Sequence, residues 1–109
     1  MMSWKWYGYA KHYCCASRCC WHMATLVNGK YLVSSVGCFH ETSDVRERTE
    51  ENRMPIGAGY YFETMVFPAN KTGKITRCRE LACDTYQTAE EAEAGHLAMC
   101  YKFELEGKK

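Results

Sequence analysis

Hydrophobic and polar positions alternate most clearly between Cys19 and Phe39. There, Cys19 to Val27 and Lys30 to Phe39 form two strand-like runs separated by Asn28-Gly29. Both turn residues tolerate positive φ, so the pattern predicts a type I′ hairpin. A two-residue turn would set Val27 opposite Lys30, Thr25 opposite Leu32, His22 opposite Ser35 and Cys19 opposite Cys38. Alternation places Trp21, Met23, Thr25 and Val27 on one face and Cys20, His22, Ala24 and Leu26 on the other. Both faces are apolar enough to be buried.

A third strand is expected over Tyr60-Tyr61-Phe62-Glu63-Thr64-Met65-Val66-Phe67, with turn residues at Pro68 to Gly73 and a further paired strand over Lys74 to Cys78. The period then changes. Thr88 and Glu91 have the spacing of a capping box, and a helix is predicted from there to about Phe103. Its inward stripe is Ala89, Ala92, His96, Met99, Cys100 and Phe103. Residues 1–20 read as a cysteine-rich and aromatic arm that includes a short strand, and residues 41–56 as a charged loop with mixed signs and no apolar stripe. The order sheet, loop, sheet, helix predicts an α+β fold. An antiparallel sheet of about four or five strands packs against one C-terminal helix, in a single domain over residues 1–109.

Composition agrees with a folded chain: hydrophobic residues make up 47% and aromatics 14% of 109 residues, with two prolines and eight glycines. A formal net charge of +1 gives no general attraction to nucleic acid and excludes a strongly acidic nucleic-acid mimic. The N-terminus lacks the pattern of a signal peptide and no run is long enough to span a membrane, so the expected compartment is the cytoplasm. In that compartment eight cysteines point to structural thiols or zinc ligands ahead of disulfides.

The arrangement of Val33-Ser34-Ser35-Val36-Gly37, Phe62-Glu63-Thr64-Met65-Val66-Phe67 and Tyr86-Gln87-Thr88-Ala89-Glu90-Glu91-Ala92-Glu93-Ala94-Gly95-His96 resembles a family of small bacteriophage proteins. Those proteins pair a Phe-Glu-Thr-Met-Val-Phe strand with a Tyr-x-Thr-x-x-Glu-Ala-x-x-Gly-His helix start. The resemblance spans roughly residues 31–100. It implies a phage or prophage origin, expression in the cytoplasm of a bacterial host and an accessory or counter-defence role, and it supplies no catalytic residues. The Cys14-Cys15-Ala16-Ser17-Arg18-Cys19-Cys20 arm and the charged run after His40 depart from the family pattern.

Candidate chemistry centres on Glu63 and His96, each set among apolar neighbours and expected to pair with one another or with another partner inside the protein. A structural pair is favoured over an acid–base couple, because no nucleophile accompanies them. Metal candidates are Cys15, Cys19, Cys38, His40, Cys78 and Cys83, with Cys14, Cys20 and His22 nearby. Cys15-x3-Cys19, Cys38-x-His40 and Cys78-x4-Cys83 have usable spacings for zinc, although there is no Cys-x-x-Cys pair. Trp4, Trp6, Arg18 and Trp21 mix rings with positive charge in a way that suits a protein hot spot or a stacked base. The expected function is binding without turnover: an inhibitor of a host protein such as a CRISPR nuclease, or a protein that sequesters a small signalling ligand. The alternatives are a zinc-stabilised nucleic-acid-binding module and, third, a small hydrolase. Homodimerisation would cover surplus apolar surface.

Overall fold

The structure is a computed structural model that describes residues 4–6, 18–56 and 59–106. Six described strands, β1 (Trp4–Trp6), β2 (Cys19–Val27), β3 (Tyr31–His40), β4 (Arg53–Met54), β5 (Phe62–Pro68) and β6 (Ala82–Tyr86), form one antiparallel sheet. Its order is β1-β2-β3-β5-β6, with the two-residue β4 paired to the end of β3. The single described α-helix, α1 (Ala89–Glu106), follows β6 and packs across β2, β3, β5 and β6. This is the α+β architecture the sequence predicts.

Asn28 and Gly29 both take positive φ, 55° and 63°, and the Lys30 N–H donates to the Val27 carbonyl. The turn is therefore closed as expected, but Lys30 is left out of the ladder and Val27 lies opposite Tyr31. One extra residue moves every cross-strand pair by one place. Thr25 faces Val33, Met23 faces Ser35 and Cys19 faces Phe39, so the predicted meeting of Cys19 with Cys38 does not occur. The slip also sets Ser35 on the same sheet face as Thr25.

The last strand differs in position as well. The segment Lys74 to Cys78 contributes only an isolated bridge between Ala69 and Ile75, while the paired strand is β6, further along the chain. Lys71 to Cys78 offer one aliphatic side chain, Ile75, among polar residues, too little to hold a strand against a core. In β6 the Thr85 N–H donates to the Asp84 carboxylate at 2.9 Å.

Helix α1 starts where the capping box places it. The Glu91 N–H donates to Thr88 Oγ1 at 3.2 Å, and the Thr88 N–H donates to Glu91 Oε1 at 3.1 Å; such a cap contributes about 1 kcal/mol. At the other end Asn28 Nδ2 donates to the Glu104 carbonyl at 3.2 Å, tying the hairpin turn to the last turn of the helix. Ala92, His96, Cys100 and Phe103 are buried on the inward face, as the stripe predicts, and Glu104 joins them. Val27, Val33, Val66, Cys100 and Phe103 form the core between helix and sheet, with Trp4 and Tyr31 against it. Burying side chains of this size contributes roughly 1.5–3 kcal/mol each. The other sheet face is closed too, with Ala24, Leu26, Leu32 and Val36 at most 3% exposed.

The charged loop after β3 is ordered around one side chain. Asn52 Oδ1 lies 2.8 Å from His40 Nδ1 and accepts from the Thr49 N–H, and its amide donates to the Glu47 carbonyl. Two short 3-10 turns, Val45–Glu47 and Glu50–Asn52, are built on this hub.

Candidate functional site

Alternation along the strands sends two groups of polar side chains in different directions. On the helix side, cross-strand register aligns Thr25 of β2, Ser35 of β3 and Thr64 of β5 at neighbouring positions beneath α1. His96 descends onto them. Its Nε2 is 2.8 Å from Thr25 Oγ1, its Nδ1 is 2.6 Å from Ser35 Oγ, and Ser35 Oγ is 2.5 Å from Thr64 Oγ1. All four residues have zero exposure. A neutral imidazole donates from one nitrogen and accepts at the other, and hydroxyls do both, so the chain of bonds can be completed without a charge. Burial pushes the His96 pKa down from 6.5 to about 4, which keeps the ring neutral. The Trp6 ring lies almost parallel to it, 9° between planes and 6.2 Å between centroids.

Gly95 explains how the helix comes so close. A Cβ there would lie 2.2 Å from the Tyr86 ring, so the absent side chain admits Tyr86 beneath α1. Glycine permits similar contact at Gly37, where a Cβ would lie 2.0 Å from Phe62. Phe62 thus lies across β3 and meets Trp21 of β2 edge-on at 5.3 Å.

Glu63 does not join His96. It alternates with Phe62 and Thr64, so it occupies the opposite face of β5, half-buried, where Cys83 Sγ approaches its Oε2 at 3.8 Å. The expected pair fails because a neighbouring strand position always faces the other way. Burial first, and the nearby Glu63, Glu80 and Asp84 carboxylates next, push the Cys83 thiol up to about 11, the opposite of a nucleophile or ready metal ligand.

The metal candidates are spread over the fold. Cys19 begins β2, Cys38 lies in β3 at φ 54°, His40 is bonded to Asn52, Cys78 is in the exposed segment after β5, and Cys83 faces Glu63. Among the described residues no three histidine, cysteine, aspartate or glutamate side chains come together as a metal site. Cys15 lies outside the described residues, as do Cys14 and most of the arm. Cys19, Cys78, Cys83 and Cys100 are thiols.

The ring and arginine candidates divide into two places. Trp4 and Trp6 of β1 lie along α1, with Trp4 edge-on to Tyr101 at 4.7 Å. Arg18 and Trp21 lie at the other end of the sheet, beyond the helix start. Arg18 sits 4.8 Å over the Phe39 ring, and Arg53 sits 4.3 Å over Tyr61 and 5.9 Å from Phe62. Arg53 pairs with Glu50 at 3.4 Å, yet its Nε is buried without a hydrogen-bond partner. No family model, curated protein or solved structure matches this chain.

The residues that sequence reasoning missed are Thr25, Ser35 and Thr64 beneath the helix and Phe39, Arg53 and Tyr61 at the sheet end. Thr64 had a signal: a hydroxyl at an inward strand position, level with inward His96. Arg53 had none, because it closes a charged run whose bulk is solvated. No helix among the described residues is long and apolar enough to cross a membrane.

Proposed function

We propose that this protein acts by recognition rather than turnover, engaging a bacterial host protein through the sheet end formed by Arg18, Trp21, Phe39, Arg53 and Tyr61. The observation that carries this reading is the pair of guanidinium groups already laid on rings, Arg18 on Phe39 and Arg53 on Tyr61. Tryptophan, tyrosine and arginine dominate protein–protein hot spots, because they combine large area with directed hydrogen bonds. Prior stacking removes rotamer freedom before the partner arrives, so less ordering entropy is lost on binding. The imidazole–hydroxyl cluster beneath α1 serves the scaffold: His96, held neutral down to about pH 4, is a weak base shut away from solvent.

The resemblance to small phage proteins supports a counter-defence setting, in which the chain inhibits a host defence protein. The test is capture from bacterial lysate on immobilised protein, side by side with an Arg53→Ala/Tyr61→Ala variant whose circular dichroism is unchanged. One host protein retained by the wild type and lost from the variant is expected. Equal retention by both, or retention of none, overturns the reading.

A further inference from the structure

Charge is shared unevenly between the connections at opposite ends of the sheet. The loop after β3, residues 41–53, carries both signs, and its acids occupy its arginines, Asp44 with Arg46 at 3.1 Å and Glu50 with Arg53 at 3.4 Å. The connection from β5 to β6 is different. Lys71, Lys74, Arg77 and Arg79 stand on it with a single acid, Glu80, and Lys30 of the hairpin turn stands beside it. All five cations are exposed, and among the described residues no ion pair involves any of them. At the neighbouring end of α1, exposed Lys102 and Glu106 offset one another and Glu104 is buried. In a chain of net charge +1 the remainder is therefore net negative, and positive potential is concentrated at this one place.

Backbone bonds bring the two loops together and set their shape. The Ala69 N–H donates to the Lys30 carbonyl at 2.8 Å, and a Cβ on Gly29 would lie 3.4 Å from Lys71 Cγ. At the tip, Asn70 Oδ1 accepts from the Thr72 and Lys74 N–H groups at 3.0 and 3.1 Å, and Gly73 supplies a positive φ of 86°. Lys71 and Lys74 thus project from a fixed turn. Beyond it, the Thr76 N–H donates to the Pro68 carbonyl and the Leu81 N–H to the Val66 carbonyl, so residues 77–80 bow out between two anchors and carry Arg77 and Arg79 with them. A backbone held beforehand loses less entropy on binding. Residues 69–81 contain no aromatic side chain on which an unpaired base could stack, which favours the phosphates of a duplex over a single strand. Ile75 is half-buried and Leu81 is the one exposed large aliphatic side chain of the segment, too little to anchor it in a bilayer.

We infer that the surface formed by Lys30, Lys71, Lys74, Arg77 and Arg79 binds the phosphate backbone of a nucleic-acid duplex without sequence preference. It lies at the opposite end of β2 from Arg18, about 30 Å away along nine residues of strand, so a duplex and a host protein can be held at once. Four engaged cations make the logarithm of the binding constant fall with the logarithm of salt concentration at a slope of about −4. The test is fluorescence anisotropy of the full chain with a short labelled mixed-sequence duplex, as DNA and as RNA, over a series of salt concentrations. Saturable binding of either duplex at low salt, unchanged when its sequence is scrambled, is expected. Lys71→Glu/Lys74→Glu and Arg77→Glu/Arg79→Glu should each weaken it about tenfold or more and flatten the slope by about 2. Arg46→Gln, an exposed cation outside the patch, should change neither. No saturable binding at about 50 mM salt, binding that survives both charge reversals, or tighter binding to phosphatidylserine vesicles than to either duplex overturns the inference. Should a charge-reversed chain lose its circular dichroism, Lys71→Gln/Arg77→Gln decides in its place, through a slope lower by about 2.

Discussion

Beneath α1, four polar side chains are sealed from water and spend their hydrogen bonds on one another. At the far end of the same sheet, two guanidinium groups lie on rings at the surface. The two regions use polar chemistry for opposite purposes. A buried hydroxyl or imidazole must be matched, and losing one partner strands the others, so the inner cluster specifies how helix and sheet fit together. Arg18, at the surface, has water as an alternative partner, so its loss is cheap for the fold, whereas the Arg53 side chain is held over Tyr61 and is only partly open to water.

The sharpest way to break this contrast is His96→Leu. It leaves Thr25 and Ser35 without their ring partner in a dry layer, and should cost about 3 kcal/mol by thermal or denaturant unfolding. Acid probes the same residue without mutation. The folded-state pKa of His96 is lowered from 6.5 to about 4, so the unfolded chain takes up the proton first. The stability in question is complete above pH 6.5 and is lost as pH falls toward 4, to a total on the order of 3 kcal/mol. A pH series of melts should therefore lose this component in wild type and not in His96→Leu.

Gly95→Ala comes next. A methyl group 2.2 Å from Tyr86 forces α1 outward, at a cost of roughly 1–3 kcal/mol, read as a lower melting temperature. Arg53→Ala should cost about 1 kcal/mol, because its side chain is 23% exposed and packs on the Tyr61 and Phe62 rings, while abolishing partner capture. Smallest is Glu63→Gln, expected within about 0.5 kcal/mol. Its readout is the Cys83 thiol, which should titrate below about 11 once the neighbouring negative charge is gone. A large loss of stability in Glu63→Gln, or none in His96→Leu, would erase the distinction between the two regions.

Much of the fold could be read from local pattern. The capping box located the helix start, the inward stripe located Ala92, His96, Cys100 and Phe103, and Asn28-Gly29 located the hairpin, because each depends on residues close in sequence. Register did not follow from the turn residues, since Lys30 stands outside the ladder and only the packing of Thr25 and Val33 over the core fixes which pair forms. β6 was misplaced because Ala82 to Tyr86 is an edge strand with exposed Cys83 and Asp84, and lacks the apolar alternation of a covered one. For the sites, His96 was recognised as inward-facing from one helix alone. Its true partners are three hydroxyls on three different strands, and that convergence depends on the register. Glu63 was assigned to the wrong face because its apolar neighbours line both sides of β5.

The Asp84 carboxylate that holds the Thr85 N–H has a consequence for the protein in a crowded solution. An open strand edge is an invitation to join ribbons of neighbouring molecules, and β6 is such an edge. Asp84 stands at the midpoint of this strand, and two β6 edges meeting antiparallel about their midpoints would oppose Asp84 to Asp84. The sheet thus ends at a negative charge that discourages edge-to-edge aggregation.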